Sequence, residues 1–473
     1  MNLDNMVDPT DLVKKEFKKI FFYRICGTGM GATACLLKEA GYDVSGCDVS
    51  FSPPMSTYLE SIGIPCLDIK NVDETKLKEY DLIIVGNSVP RNSEHAKLIE
   101  ECGVAFTSFP SVMGNLILKN REVIGVAGTH GKTTTTYFLT QLLERLGDEP
   151  GYFVGGIINE RPPAKLGKSK FFVIESDEYD SAYFQKYAKF QQYELNHMIL
   201  TSLEFDHADI YNSVEEIEEQ FIQTLDRIKN PIVIANESYQ SIKKLASSNW
   251  ILYSETFSTG PQIISQSLKG TEFKLKLNDN WNTIHTNLVG THNILNLSSC
   301  ILLLNQLGFE SEKIINACAD LGMVKRRQEI RGEYKGSIVI DDFAHHPRAI
   351  TLTMEAIRTL FPGKEILTIF EPISATSRSD IFQNEFSESL QNSDRFIIAK
   401  NPLNTSVKGH DNLNCQKIVD EAIANKIPAK WVDNLTDLQN SIDEWIKEDQ
   451  VLLILSNRTC LGLWESKFVD QIK

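Results

Sequence analysis

Between Val123 and Leu143 the chain reads VIGVAGTHGKTTTTYFLTQLL: an apolar run, a short loop, then apolar residues at helical spacing. The loop and first turn carry Gly128, Thr129, Gly131, Lys132, Thr133 and Thr134. Two glycines let a loop curl until its N–H groups converge at the positive end of the next helix. A lysine there adds a full charge, and a threonine hydroxyl can meet magnesium. The pattern suits the grip of a nucleotide triphosphate. It departs from the general phosphate loop at Val126, where that pattern has a glycine.

A second strand-loop-helix comes earlier. IFFYRIC leads into Gly27, Thr28, Gly29, Met30 and Gly31, and Asp48 closes the following strand. The spacing predicts a dinucleotide or sugar nucleotide on the helix end, with Asp48 at a ribose; it implies nothing about hydride transfer. Downstream, FFVIESDEYD places acids at the end of an apolar strand, with Glu175 the first out, and HMILTSLEFDHADIY ends in Asp206-His207. Strand ends of one sheet converge, so these groups and Thr133 are expected around one magnesium ion. In GTHNILN, His292, Asn293 and Asn296 fall in the first turn of a helix. The two amides share a face and read either as adenine contacts or, for Asn293, as a cap. Asp341-Asp342 ends a later strand, and the neighbouring His345-His346 reads as a hydrogen-bonding pair, since no other histidine stands at ligand spacing.

Strands and helices alternate through most of the chain, as in an α/β protein of doubly wound units. Polar stretches near Lys119 and Val324 divide it into residues 1–119, 120–325 and 326–473. Residues 213–228 form an acidic amphipathic helix with a solvated charged face. With 473 residues, 42% hydrophobic and 23% charged, the composition is that of a globular enzyme and excludes a mainly disordered chain. A net charge of -15 argues against a nucleic-acid surface. Nine scattered cysteines without a CxxC pair suggest reduced thiols and no structural zinc. The N-terminus lacks a signal-peptide layout and no apolar run is long enough to span a bilayer, so a cytoplasmic location without membrane partners is expected.

Taken in order, GTGMG with Asp48, GTHGKTTT, ESDEYD, EFDHADIY, GTHNILN, RRQEIRGE and DDFAHHP resemble the Mur ligases, the ATP-dependent amide-forming family of peptidoglycan synthesis. The resemblance implies a Rossmann-like N-terminal domain holding the UDP moiety, a central P-loop ATPase domain, and a Rossmann-like C-terminal domain that closes on ATP and binds the incoming amine. It implies ATP and Mg2+ as cofactors, and UDP-N-acetylmuramate with a murein tripeptide, or L-alanine, as substrates. Gly27, Thr28, Gly29, Met30, Gly31 and Asp48 would bind UDP, and Lys132, Glu175 and His207 would be catalytic. Thr133, Glu175 and His207 would hold magnesium, and His292, Asn293 and Asn296 would meet adenine. Arg327 and Asp342 would reach phosphate and ribose, with Phe343 beside the base. The segment 213–228 has no lysine for the carbamate that some branches carry. Two departures fall in the last domain: Ile373 where an arginine is usual, with Arg378 nearest, and the altered segment Ser456 to Trp464. They keep open a sugar-nucleotide-binding relative without amide chemistry.

Overall fold

Strands rich in buried apolar residues on both faces require helices above and below them, and that is the architecture throughout. The computed structural model describes every residue except 157, 159–160, 257, 403–405 and 408. The first sheet is wholly parallel, with strands in the order Cys66–Asp68, Asp43–Asp48, Lys19–Tyr23, Leu82–Val85 and Ala105–Ser108. The helix Thr28–Glu39 leaves its central strand, and a side chain at Gly31 would press to 2.3 Å from Met55 Sδ. That glycine serves close packing on the helix Met55–Ser61. Gly27 has nothing within 4 Å of a built Cβ and faces open space.

The second sheet orders its strands Ile251–Tyr253, Val233–Asn236, His197–Leu200, Glu122–Ala127, Phe171–Ser176, Gly151–Phe153 and Ala164–Lys165, parallel except for the last. Glu122–Ala127 is the middle strand, so its C-terminal end lies between those of Phe171–Ser176 and His197–Leu200. Glu175 pairs in register with Val126, one residue inside its strand rather than beyond it. The stretch between Pro231 and Leu288, read from sequence as short strands, includes an antiparallel meander of Gln262–Ser267, Gly270–Leu277 and Asn280–Thr286. Its Phe273, Leu275 and Ile284 enter the core shared by the helices Lys132–Arg145 and Thr291–Gln306. The acidic helix is Val214–Leu225, and one of its acids departs from the solvated reading: Glu218 is buried and ion-paired with Lys244.

The third sheet runs Glu329–Tyr334, Ser337–Asp342, Val451–Leu455, Ile366–Phe370, Arg395–Ala399 and Ala429–Val432, parallel after its opening hairpin. One apolar cluster runs without interruption from the first sheet into the second, whereas the third sheet buries clusters of its own. Where the first two sheets join, the segment Met113–Leu118 packs on the turn Lys189–Gln192, and a Cβ at Gly114 would lie 1.7 Å from the Gln192 carbonyl oxygen. Backbone cannot retreat as a flexible side chain can. Gly114→Ala is therefore expected to lower urea stability by about 2–3 kcal/mol, whereas Gly27→Ala should stay within about 1 kcal/mol of wild type.

Candidate active site

The loop after Glu122–Ala127 turns on two glycines in left-handed conformation, Gly128 at φ +137° and Gly131 at φ +82°. A Cβ at Gly128 would sit 2.4 Å from Thr201 Oγ1, and one at Gly131 would sit 2.7 Å from Asn296 Oδ1. At Gly128 the Ser202 backbone, 2.7 Å from that Cβ, adds to the requirement for glycine; at Gly131 the backbone conformation sets it. No side chain caps the helix that begins at Lys132, and its first turn holds no acid, which leaves the positive end free for an anion.

Lys132 Nζ donates to the Gly128 carbonyl at 2.6 Å and to Glu178 Oε2 at 3.1 Å, with Asp177 Oδ1 at 3.8 Å. Burial pulls its pKa down, but Glu178, Asp177 and Glu175 outweigh burial and raise it above the ordinary lysine value. Glu178 is 1% exposed. Burial favours its neutral form, yet Lys132 and His207 hold its pKa below the usual carboxylate range. His207 takes a left-handed backbone, φ +57°, and its Nε2 lies 3.5 Å from Glu178 Oε1 and 3.9 Å from Asp177 Oδ1. Against the cost of burial, Asp206, Glu178 and Asp177 push this imidazole up to about 9. Glu175 stands apart from that group. Its Oε2 accepts the Gly155 N–H at 2.8 Å, and burial raises its pKa against the pull of Lys132.

The residues of the expected magnesium set have different near neighbours. Thr133 and Glu175 face one another across the start of the helix, whereas His207 joins Asp177 and Glu178, acids that the sequence reading left without a role. Their signal was ESDEYD itself, in which four acids at and just behind a strand end can reach more than one position. The other expected residues are placed as follows. Asn296 lies against Gly131, whereas the Asn293 amide donates back to the Val289 carbonyl at 2.8 Å and does not cap the helix, whose N-cap is Gly290 with no side-chain hydrogen bond. His292 Nε2 meets Gln328 Nε2 at 3.0 Å, and burial beside Arg327 lowers its pKa to about 4. The Asp342 carboxylate is already engaged by the Gln328 and Ala344 N–H groups at 2.7 and 2.8 Å. It braces the turn that carries Arg327, whose guanidinium covers the Phe343 ring at 4.8 Å. Asp48 is engaged in the same way by the Cys26 and Val49 N–H groups, so it holds the first glycine loop in shape. Thr28, Gly29 and Met30 form the first turn of that helix, with Phe109 3.1 Å from a Cβ at Gly29.

A triphosphate-type loop at the centre of a parallel sheet, a buried lysine among acids, and a glycine loop on an adjoining sheet define a nucleotide-using α/β enzyme of three units. Family models match those units in turn: the Mur ligase family catalytic domain at residues 19–121, the Mur ligase middle domain at 126–304, and the Mur ligase glutamate ligase domain at 326–458. The chain belongs to the Mur ligase family, the ATP-dependent amide-bond-forming ligases. It is 34% identical to the UDP-N-acetylmuramate–L-alanyl-γ-D-glutamyl-meso-2,6-diaminoheptandioate ligase of Haemophilus influenzae, over 96% of this chain and 99% of that one. It is 28% identical to the UDP-N-acetylmuramate–L-alanine ligase of Desulfitobacterium hafniense, over 92% of this chain and 96% of that one. Among solved structures, a murein peptide ligase from Psychrobacter arcticus superposes with a TM-score of 0.71 at 28% identity, covering 95% of this chain and 97% of the other. No helix among the described residues is long and apolar enough to cross a membrane.

The charged His207 stabilises the metal-free fold because its folded pKa, about 9, exceeds the unfolded value near 6.5. That contribution is complete below about pH 6.5, declines from there, and is gone above about 9. The difference in urea stability between wild type and His207→Ala should therefore shrink between pH 6 and pH 9.5. A difference that stays flat would mean that His207 carries no charge.

Proposed function

We propose that the chain joins L-alanyl-γ-D-glutamyl-meso-diaminopimelate to UDP-N-acetylmuramate at the expense of ATP, in the cytoplasm. The observation that carries this reading is end-to-end similarity to the Haemophilus ligase of that specificity, through the last unit as well as the ATP-binding one. A second observation favours the peptide over L-alanine as the amine. A cavity of about 160 Å³ in the last unit is lined by Pro372, Arg378, Lys400, Asn412, Leu413 and Cys415. Arg378 donates to the Ile373 carbonyl at 3.3 Å, and its Nε is buried without a partner. Two cations there suit the far carboxylates of a peptide, which alanine lacks.

A carboxylate resists an amine until one of its oxygens becomes a leaving group. In the proposed reaction the lactyl carboxylate attacks the γ-phosphorus of ATP, ADP departs, and an acyl phosphate forms. The peptide amine then adds to its carbonyl carbon, and the tetrahedral intermediate collapses with loss of phosphate and a proton. Lys132 would exchange part of its contact with Glu178 for the β- and γ-phosphate oxygens, offsetting charge as it builds. The open amides at the helix start would hold the phosphates in line. Gly27 to Gly31 would receive the UDP moiety at the open helix end. Asp48 and Asp342 would act by bracing their loops, and His292, Asn296 and Arg327 would border the nucleotide.

The residues present fit divalent magnesium. Thr133 and Glu175 offer one position; Asp177, Glu178 and His207 offer another, where the buried His207 Nε2 lacks a hydrogen-bond partner. Bound magnesium supplies charge neutralisation at the phosphates. His207 must give up its proton to become a ligand.

With ATP, magnesium and UDP-N-acetylmuramate, phosphate release should be at least about tenfold faster with the tripeptide than with L-alanine. The reverse preference would make this an alanine-adding ligase, and no turnover with either amine would favour a sugar-nucleotide-binding role. Lys132→Ala should lower kcat by about 100-fold or more, with circular dichroism unchanged. Arg378→Ala should raise the tripeptide KM by about tenfold and leave the KM for UDP-N-acetylmuramate as it was.

A further inference from the structure

A second cluster of ligand-type side chains lies on the other side of the phosphate loop, unused by the chemistry above. His130 stands inside that loop, Glu204 follows the strand His197–Leu200, and His346 immediately precedes the helix Pro347–Leu360 of the last unit. One ligand atom from each lies within 4.8 Å of the other two. His130 Nε2 is 3.1 Å from Glu204 Oε2, and the His130 and His346 rings have centroids 4.7 Å apart. From sequence, with no other histidine at ligand spacing, the His345-His346 pair reads as a hydrogen-bonding pair. His345 does behave as expected, with Nδ1 at 3.0 Å from the Phe343 carbonyl. His346 does not.

His346 is 5% exposed, and neither of its ring nitrogens has a hydrogen-bond partner. A buried polar group left in that state is destabilising until something pairs with it. Burial and the neighbouring His130 bring its pKa down to about 3, so the ring is neutral and at least one nitrogen offers a bare lone pair. The surroundings are rich in negative charge. Although burial opposes ionisation, His130 beside Glu204 holds that carboxyl below its ordinary range. Arg348 takes Glu204 Oε1 at 3.3 Å and leaves Oε2 on the side of the two imidazoles.

We propose that His130, Glu204 and His346 form a binding site for a divalent transition ion of the Zn2+ type, which clasps the last unit to the phosphate loop. Two imidazoles and one carboxylate match zinc or cobalt. Magnesium favours oxygen ligands, and the cluster around Lys132 offers two carboxylates to one imidazole where this one offers two imidazoles to one carboxylate. Three protein ligands leave the fourth position open to water or to a substrate atom. Ligand atoms about 2.0–2.1 Å from a tetrahedral ion lie about 3.3 Å from one another, so the widest pair must draw in by up to about 1.5 Å. The His346 ring, packed between His130 and Phe382 but restrained by no hydrogen bond, would have to turn to make that movement. His130 would give up its Nε2 contact with Glu204 and share the ion with it.

The test is titration of the full chain, free of nucleotide, with Co2+ alone, read by its visible d–d absorption. Wild type should develop an intense band that saturates and is displaced by Zn2+. His346→Ala and Glu204→Gln should each abolish that band or weaken Co2+ binding at least tenfold, whereas His207→Ala should retain it. If His346→Ala fails to fold, the isosteric Glu204→Gln alone decides. Absence of the band in wild type overturns the site, as does its survival in Glu204→Gln or its loss in His207→Ala.

Discussion

A lysine held away from water among three acids is the constraint around which the central unit is built. Burial by itself lowers the pKa of Lys132 and raises that of Glu178. Together, with His207 closing the ring, each keeps the other charged. Such a cluster stores electrostatic free energy that a polyanion can redirect without reorganising the surrounding structure, which is what an ATP-dependent ligase needs at its phosphate site. The glycines of the loop follow from the same requirement. Lys132 reaches both the Gly128 carbonyl and Glu178 because the loop curls back on itself, with Thr201 and Asn296 filling the space that side chains would have taken.

The three units are joined by two kinds of contact. The first two share a continuous apolar core, so their relative position is set by burial that no single substitution undoes. The last unit approaches largely through polar groups, with Phe205 and Phe382 in ring contact beside them: Thr376 donates to Asp206 at 2.5 Å, Arg348 meets Glu204, and Gln328 meets His292. Polar contacts exchange readily with water, and an interface made of them can open to admit substrates and close to exclude solvent.

The two departures from the family pattern become physically intelligible in the last unit. Arg378 folds back to donate to the Ile373 carbonyl at 3.3 Å, which brings a guanidinium close to the backbone at that position. In the altered segment, Cys460 and Leu461 are left-handed at φ +55° and +52°, ahead of Gly462 at +85°. Glu371 repays that strain by accepting the N–H of Cys460 at 3.0 Å and of Leu461 at 2.9 Å. Side chains other than glycine are tolerated there because a buried carboxylate holds the turn.

Local pattern carried much of this protein. The loop GTHGKTTT, the alternation of apolar runs with helical spacing, and the acids behind FFVIES are short-range features, and short-range geometry alone brings Gly131, Lys132 and Thr133 to a helix end. Which oxygen meets which nitrogen is a different matter. The separation of Glu175 from His207, the recruitment of Asp177 and Glu178, and the use of Asp48, Asn293 and Asp342 as backbone braces depend on strand register and helix packing. His346 is the clearest case. Its neighbours along the chain offer it nothing, and only the docking of the last unit brings it to His130 and Glu204, because contacts across a domain interface have no fixed spacing in sequence.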